Sequence, residues 1–147
     1  MIENEERLLA VLNSAPVVDG HVVETLDDPR MIRVRDRLQA VIRGDADVET
    51  LTPYVNGVKR RPTLTPRGIT WELEAPADGA EYAGLVLEWA RLQEELPGRL
   101  RPCANPECTK FLIDHSKPNT ARWCSMATCG NRMKARRHYA RRSAQNA

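Results

Sequence analysis

The chain has 147 residues, 41 % of them apolar, and a formal net charge of +2. That length suits one compact domain, or a modest domain with a small metal-stapled module. No apolar run approaches the roughly 18 residues of a membrane-spanning helix, and the acidic opening Met-Ile-Glu-Asn-Glu-Glu lacks the positive n-region of a signal peptide. The expected setting is the cytoplasm, where clustered cysteines are metal ligands more often than disulfides.

The small net charge hides a division. Residues 1–98 carry 11 Lys and Arg against 18 Asp and Glu, a net of −7; residues 99–147 carry 11 against 2, a net of +9. Such asymmetry suggests a polyanion partner for the basic half. The alternative is that the acidic half folds over the basic tail and neutralises it, but the acids are spread over several segments rather than massed.

In chain order, Glu3 to Leu12 reads as a first helix, with Asn4 as its cap and Asn13-Ser14-Ala15-Pro16 as its end. Residues 16–26 read as a loop with one short extended piece, Gly20 to Thr25. Asp28-Pro29 is a capping acid followed by proline at the first helical position. It opens a second helix to about Arg43, with Met31, Val34, Leu38, Val41 and Ile42 on one stripe and Gly44 as the stop. Arg30, Arg33, Arg35 and Arg37 read as its wet face. Asp47 is placed to cap a third helix through Val48, Leu51, Val55 and Val58, closed by Lys59-Arg60-Arg61-Pro62. Thr63–Thr65 and Ile69–Glu74 flank Pro66-Arg67-Gly68 as a β-hairpin, with Ile69, Trp71 and Leu73 facing one way. Asp78 is placed to cap a fourth helix over about 80–96, striped by Tyr82, Leu85, Val86, Trp89, Leu92 and Leu96. Pro97-Gly98 ends it and is expected to act as a hinge.

All four cysteines lie beyond that hinge, as two C-x4-C pairs separated by fifteen residues: Cys103/Cys108 and Cys124/Cys129. A Zn2+ ion takes four soft or borderline ligands in a tetrahedron, and two short cysteine turns supply two corners each. The expected cofactor is one structural zinc in a closed site. His115 lies between the pairs as a substitute ligand, a solvent-facing side chain or a phosphate donor. Gly130 suggests close backbone approach or an N–H···S bond. Ser125 is placed to cap the last helix, with Met126, Cys129, Met133 and Ala140 turned inward. Trp123 and Phe111 are expected to pack over the zinc, and Asp114 to pair with Arg122, Arg132 or a backbone amide.

From Ser125 to about Ser143 the last helix has no acid and carries Arg132, Lys134, Arg136, Arg137, His138, Arg141 and Arg142. Six phosphate contacts would give a log–log salt slope of about −5. Arginine and asparagine also read guanine and adenine edges, so Asn131 and Arg132, which open the helix, are candidates for base contact or for bonds that brace the knuckle. No Gly-rich phosphate loop or H-E-x-x-H motif is present, and no catalytic residue is expected.

The segment Ala-Arg-Trp-Cys-Ser-Met-Ala-Thr-Cys-Gly-Asn-Arg-Met-Lys-Ala-Arg-Arg-His-Tyr-Ala-Arg-Arg, within Arg101 to Arg142, resembles the CGNR-type zinc finger, whose name is spelled by Cys129-Gly130-Asn131-Arg132. Phe111-Leu112-Ile113-Asp114-His115-Ser116 is similar to that family's segment between the cysteine pairs. The resemblance implies a bacterial, stress-linked transcription regulator whose finger binds DNA after a mostly helical regulatory domain. The combined expectation is an α+β fold: a mostly helical module with a β-hairpin over residues 1–98, then a four-cysteine finger with a basic helix over 99–147. Candidate nucleic-acid contacts are Arg122, Asn131, Arg132, Lys134, Arg136, Arg137, His138, Arg141 and Arg142. The expected partner is duplex DNA at the nucleoid. Because one finger binds weakly, a second copy of the chain or RNA polymerase is expected to help. The alternatives are an RNA-binding zinc protein and a protein–protein adaptor on the transcription machinery.

Overall fold

The structure is a computed structural model that describes residues 2–145. The first helix, α1 (Ile2–Leu12), buries Leu8 and Leu12, one turn apart, while Glu3 and Glu6 stay exposed and Glu5 turns in to pair with Arg91 at 2.8 Å. It starts ahead of Asn4, which lies in the first turn and is not the cap. Two very short strands follow, β1 (Val17–Val18) and β2 (His21–Val22), paired antiparallel around Asp19 and Gly20 at φ 51° and 79°. An Asp-Gly pair supplies the two positive φ values of a tight hairpin turn. A single extended piece from Gly20 to Thr25 was therefore the wrong reading of these residues.

The second helix, α2 (Pro29–Arg43), begins where Asp28 accepts a 2.9 Å bond from the Arg30 amide, and ends at Gly44 with φ 82°. Met31, Val34 and Leu38 point inward as the stripe predicts. Arg35 does not belong to the wet face. It is buried, and its guanidinium bonds Glu24 (2.7 Å), Ser14 Oγ (3.0 Å) and Asp36 (2.8 Å), tying the loop before α2 to the end of α1. That bond with Arg35 pulls the Glu24 carboxyl from 4.5 down to about 2. The folded pKa lies below the unfolded one, so the pair stabilises the fold fully above about pH 5 and loses its effect as the pH falls toward 2. Urea titrations at pH 3 and pH 7 should therefore differ less for Glu24→Gln than for the parent protein. An unchanged difference would remove Glu24 from the acid response.

The expected third helix is shorter than its pattern. Val48–Leu51 winds as a 3-10 turn, and a single α-helical turn, α3 (Thr52–Val55), follows. Asn56 is extended and Gly57 has φ 76°, so the chain leaves the helix early, and Lys59-Arg60-Arg61 joins a strand instead of closing a helix. Asp47 makes no side-chain cap bond. The hairpin is accordingly longer than predicted: β3 (Lys59–Thr65) pairs antiparallel with β4 (Gly68–Glu74), Pro62 opposite Trp71. The fourth helix, α4 (Ala80–Glu95), buries the predicted Tyr82, Leu85, Val86, Trp89 and Leu92. Gly79, not Asp78, holds its cap position, without a side-chain bond. The Tyr82 hydroxyl donates to the Asp28 carboxylate, which joins the start of α4 to the start of α2.

Strands β5 (Leu100–Pro102) and β6 (Phe111–Ile113) form a third antiparallel pair, and they change how the chain divides. Phe111, the chain's one phenylalanine, is 1 % exposed and shares a single apolar cluster with Leu8, Leu12, Val34, Leu38 and Leu92. Leu100 belongs to the same cluster, with Ile113 packed against it. Phe111 therefore does not cover the zinc ligands. It fills the front core, with the Arg43 guanidinium 4.6 Å from its ring centre. The Asn13 side chain accepts from Phe111 N–H (2.7 Å) and donates to its carbonyl (3.2 Å), and Thr109 donates to the Ala15 carbonyl (2.7 Å). His115 sits 2.7 Å from the Glu5 carboxylate, far from any ligand role. Pro97-Gly98 thus connects two parts of one core, where a free hinge was expected. Helices α1, α2 and α4 alone leave a gap that a large aromatic from beyond residue 98 fills.

Candidate metal centre and nucleic-acid interface

Strand β5 delivers Cys103, whose amide continues the hairpin by donating to the Lys110 carbonyl (2.9 Å). Between them, Asn105 turns the chain: its side-chain oxygen accepts from Glu107 N–H and its carbonyl accepts from Cys108 N–H. This Asx turn swings Cys108 back beside Cys103. The Ala104 amide donates to the Arg122 carbonyl (2.8 Å), which docks the second cysteine segment against the first. Met126–Gly130 then closes a wide π-type turn, with the Gly130 amide donating to Ser125 O (2.9 Å), and the last helix, α5 (Asn131–Gln145), starts from it. Ser125 takes the cap position through its carbonyl and makes no side-chain cap bond, contrary to expectation. A Cβ on Gly130 would lie 2.7 Å from Met126 Sδ and 3.3 Å from the Trp123 ring, so the close approach expected of this glycine is real.

The four sulfurs of Cys103, Cys108, Cys124 and Cys129 lie within 4.8 Å of one another, with Cys108–Cys124 at 3.7 Å and Cys124–Cys129 at 3.6 Å. A zinc–sulfur bond of about 2.3 Å in a tetrahedron sets sulfurs about 3.8 Å apart. All four thiols are free and much too far apart for the ~2.05 Å of a disulfide. The donor set therefore fits one Zn2+ with all four positions filled by protein, the signature of a structural site.

Three donors surround the sulfurs. Lys110 N–H points at Cys108 Sγ (3.4 Å), Cys124 N–H at Cys103 Sγ (3.3 Å), and the Asn105 amide at Cys129 Sγ (3.4 Å). Burial pushes Cys108 and Cys124 up, whereas Cys129, also raised by burial, is brought to about 7 by the Asn105 amide and the neighbouring thiols. Asn105 is 2 % exposed and was missed from the sequence, although an Asn-Pro inside the first cysteine turn was a usable signal. Groups that orient ligands typically contribute about 10–100-fold in metal affinity. Asn105→Ala should lose that much zinc affinity in competition with a chromophoric chelator, and an unchanged affinity would reduce the residue to a turn former.

With this geometry in hand, residues 99–142 match the family model of the CGNR zinc finger, which spans less than a third of the chain. The segment is a CGNR zinc finger. Compared with curated proteins, the chain gives no match. In the CGNR finger, Asp114 is buried and pairs with Arg101 (2.7 Å) rather than with Arg122 or Arg132. It also accepts from the Ser116 and Ala121 amides, and these bonds, led by Ser116, hold its carboxyl well below the usual range. It ties the strand to the loop before the second cysteine pair.

The predicted nucleic-acid residues fall into two places. Arg122 stacks its guanidinium 5.0 Å from the half-buried Trp123 ring. Asn131, Arg132, Lys134, Arg136, Arg137, His138, Arg141 and Arg142 all lie on α5, where every residue except Met133 is exposed. Ala140 and Met126 are therefore not turned inward as expected; Met126 lies over Gly130 yet is 53 % exposed. Arg136 pairs with Glu107 at 2.5 Å, a partner the sequence reading did not foresee. Beside the cysteines a cleft of about 700 Å3 opens between the β1–β2 turn and the finger, lined by Lys110 and Arg132 as well as by Asp19 and Glu107.

Proposed function

We propose that this zinc-binding protein is a non-catalytic, duplex-DNA-binding regulator of bacterial transcription, acting in the cytoplasm at the nucleoid, with α5 as the groove-entering helix. The observation that carries this reading is α5 itself. It has 15 residues, no acid, six Lys and Arg, and no buried residue. Isolated helices of that length are marginal in water. Arg132 with Arg136 and Arg137 with Arg141 are like-charge i,i+4 pairs, each unfavourable by about 0.2–0.5 kcal/mol. A polyanion removes that repulsion, and a helix of roughly 22 Å, rising 1.5 Å per residue, suits the length of a major-groove contact. The zinc turn anchors its first residues, and apart from the half-buried Met133 and the Arg136–Glu107 pair its faces are free. No helix among the described residues is long and apolar enough to cross a membrane.

The Arg136–Glu107 pair supplies a test. Both side chains are well exposed, so the pair is worth little by itself. Glu107→Gln removes one negative charge beside α5 and frees Arg136 for a phosphate. Affinity for a 20-base-pair duplex, read by fluorescence anisotropy, should rise several-fold. An unchanged or weaker affinity would separate this edge of α5 from the nucleic acid. Competition with structured RNA in the same assay decides between the two polyanions, and a zinc-loaded sample that binds neither at low salt would leave the adaptor reading.

A further inference from the structure

The β3–β4 hairpin is an amphipathic arm whose 14 strand residues are all exposed. Its register places Arg60, Pro62 and Leu64 on one face with Leu73, Trp71 and Ile69. The opposite face holds Lys59, Arg61 and Thr63 with Glu74, Glu72 and Thr70, and it is already satisfied: Arg61 bonds Glu72 at 2.6 Å and Glu74 at 3.3 Å. The apolar face has no such closure. Leu64 is 81 % exposed, Trp71 57 %, Ile69 55 % and Leu73 42 %. A two-stranded hairpin is marginal in water without a covered face. A contiguous apolar patch on the order of 500 Å2, the size these four side chains present, marks an interaction site.

We propose that a second copy of this chain covers it, the two hairpins packing apolar face to apolar face about a two-fold axis at Trp71. The order of residues along the face is suited to this. From tip to root it runs Leu64/Ile69, Pro62/Trp71, Arg60/Leu73, so a two-fold at the middle pair sets each aliphatic tip on the partner's root. The two Arg60 side chains then stand about 13 Å apart, four residues of strand and beyond the ~8 Å screening length of physiological salt.

Beyond the root the face opens on a cleft of about 220 Å3 lined by Leu73, Gly84 and Leu85, where Glu81 is paired with Arg7 and the buried Glu88 with Arg91. Two such patches together reach about 1,000 Å2, the lower bound for a specific interface, before the cleft walls are counted. This inference is independent of the DNA reading.

Size-exclusion chromatography with light scattering on the full, zinc-loaded chain at tens of micromolar tests it. The expected result is a dimer for the parent protein and for Thr63→Lys/Thr70→Lys, which alters the opposite face. Leu64→Ser/Trp71→Ser should run as a monomer with unchanged zinc content and far-UV spectrum, because both side chains are exposed in the single chain. A monomeric parent would overturn the proposal and give the face to a different protein. A dimeric Leu64→Ser/Trp71→Ser, or a monomeric Thr63→Lys/Thr70→Lys, would move the interface elsewhere.

Discussion

Removing zinc with a strong chelator is expected to destabilise the front helices as well as the finger. Four thiols within 4.8 Å of one another need a cation to stay together once ionised. In isolated zinc-finger peptides the metal contributes roughly 10–16 kcal/mol at pH 7, so the segment around Cys103–Cys129 does not hold its turns without it. The consequence reaches further because β5 and β6 carry Leu100 and Phe111 into the cluster shared with α1, α2 and α4. Emptying a buried phenylalanine site costs about 3–5 kcal/mol. In a protein of this size each kcal/mol moves the melting temperature by about 2–4 °C, so the front transition should fall by about 10 °C. Far-UV melting with and without chelator measures the shift, and Cys129→Ser should reproduce it in the presence of zinc. Hydrogen exchange at Leu8, Leu12 and Leu92 localises the effect. A front transition that stays in place after zinc removal would show that the finger folds on its own and only leans on the core.

The second large effect concerns α5. Replacing Arg136, Arg137, Arg141 and Arg142 together by alanine should weaken duplex binding by about three orders of magnitude at 0.1 M salt and cut the log–log salt slope by about 3.6, since each lost phosphate contact removes about 0.9. The fold should tolerate this. All four side chains are exposed, and alanine both favours helix and relieves repulsion. Zinc content and thermal stability therefore serve as internal controls. A quadruple variant with unchanged slope would mean that these four arginines are only solvated and that the basic partner surface, if any, lies around Lys110, Arg122 and Arg132. Single replacement of Asn131 asks a different question: lost sequence preference with little lost affinity marks a base contact, and lost zinc marks a brace for the knuckle.

Much of the architecture was legible because it rests on local chemistry. The Asp28-Pro29 start and Gly44 stop of α2, the inward stripes of α2 and α4, and the four ligands with their glycine all depend on spacings of a few residues. Rules of helix period, capping and metal geometry act over that range, and the structure places these residues as the pattern predicts. Even some errors were local ones. The Asp19-Gly20 hairpin and the early exit of α3 at Asn56-Gly57 were written in turn residues whose conformations went unread.

The remaining features depend on partners distant in sequence. Arg35 looks like its neighbours Arg33 and Arg37 by period, and only the return of Ser14 and Glu24 to the same spot makes it a buried anchor. His115 finds Glu5, and Asn105 finds Cys129. Phe111 reads as part of the finger because its sequence neighbours are the finger's, yet it fills the core between α1, α2 and α4, the first of which begins at Ile2. The sequence by itself thus determined α1, α2, α4, α5, the long hairpin and the four cysteine ligands, since those follow from short-range spacing and donor chemistry. Only the tertiary structure decided that finger and helices share one core and that the hairpin stands uncovered, because burial depends on which distant surfaces the chain brings together.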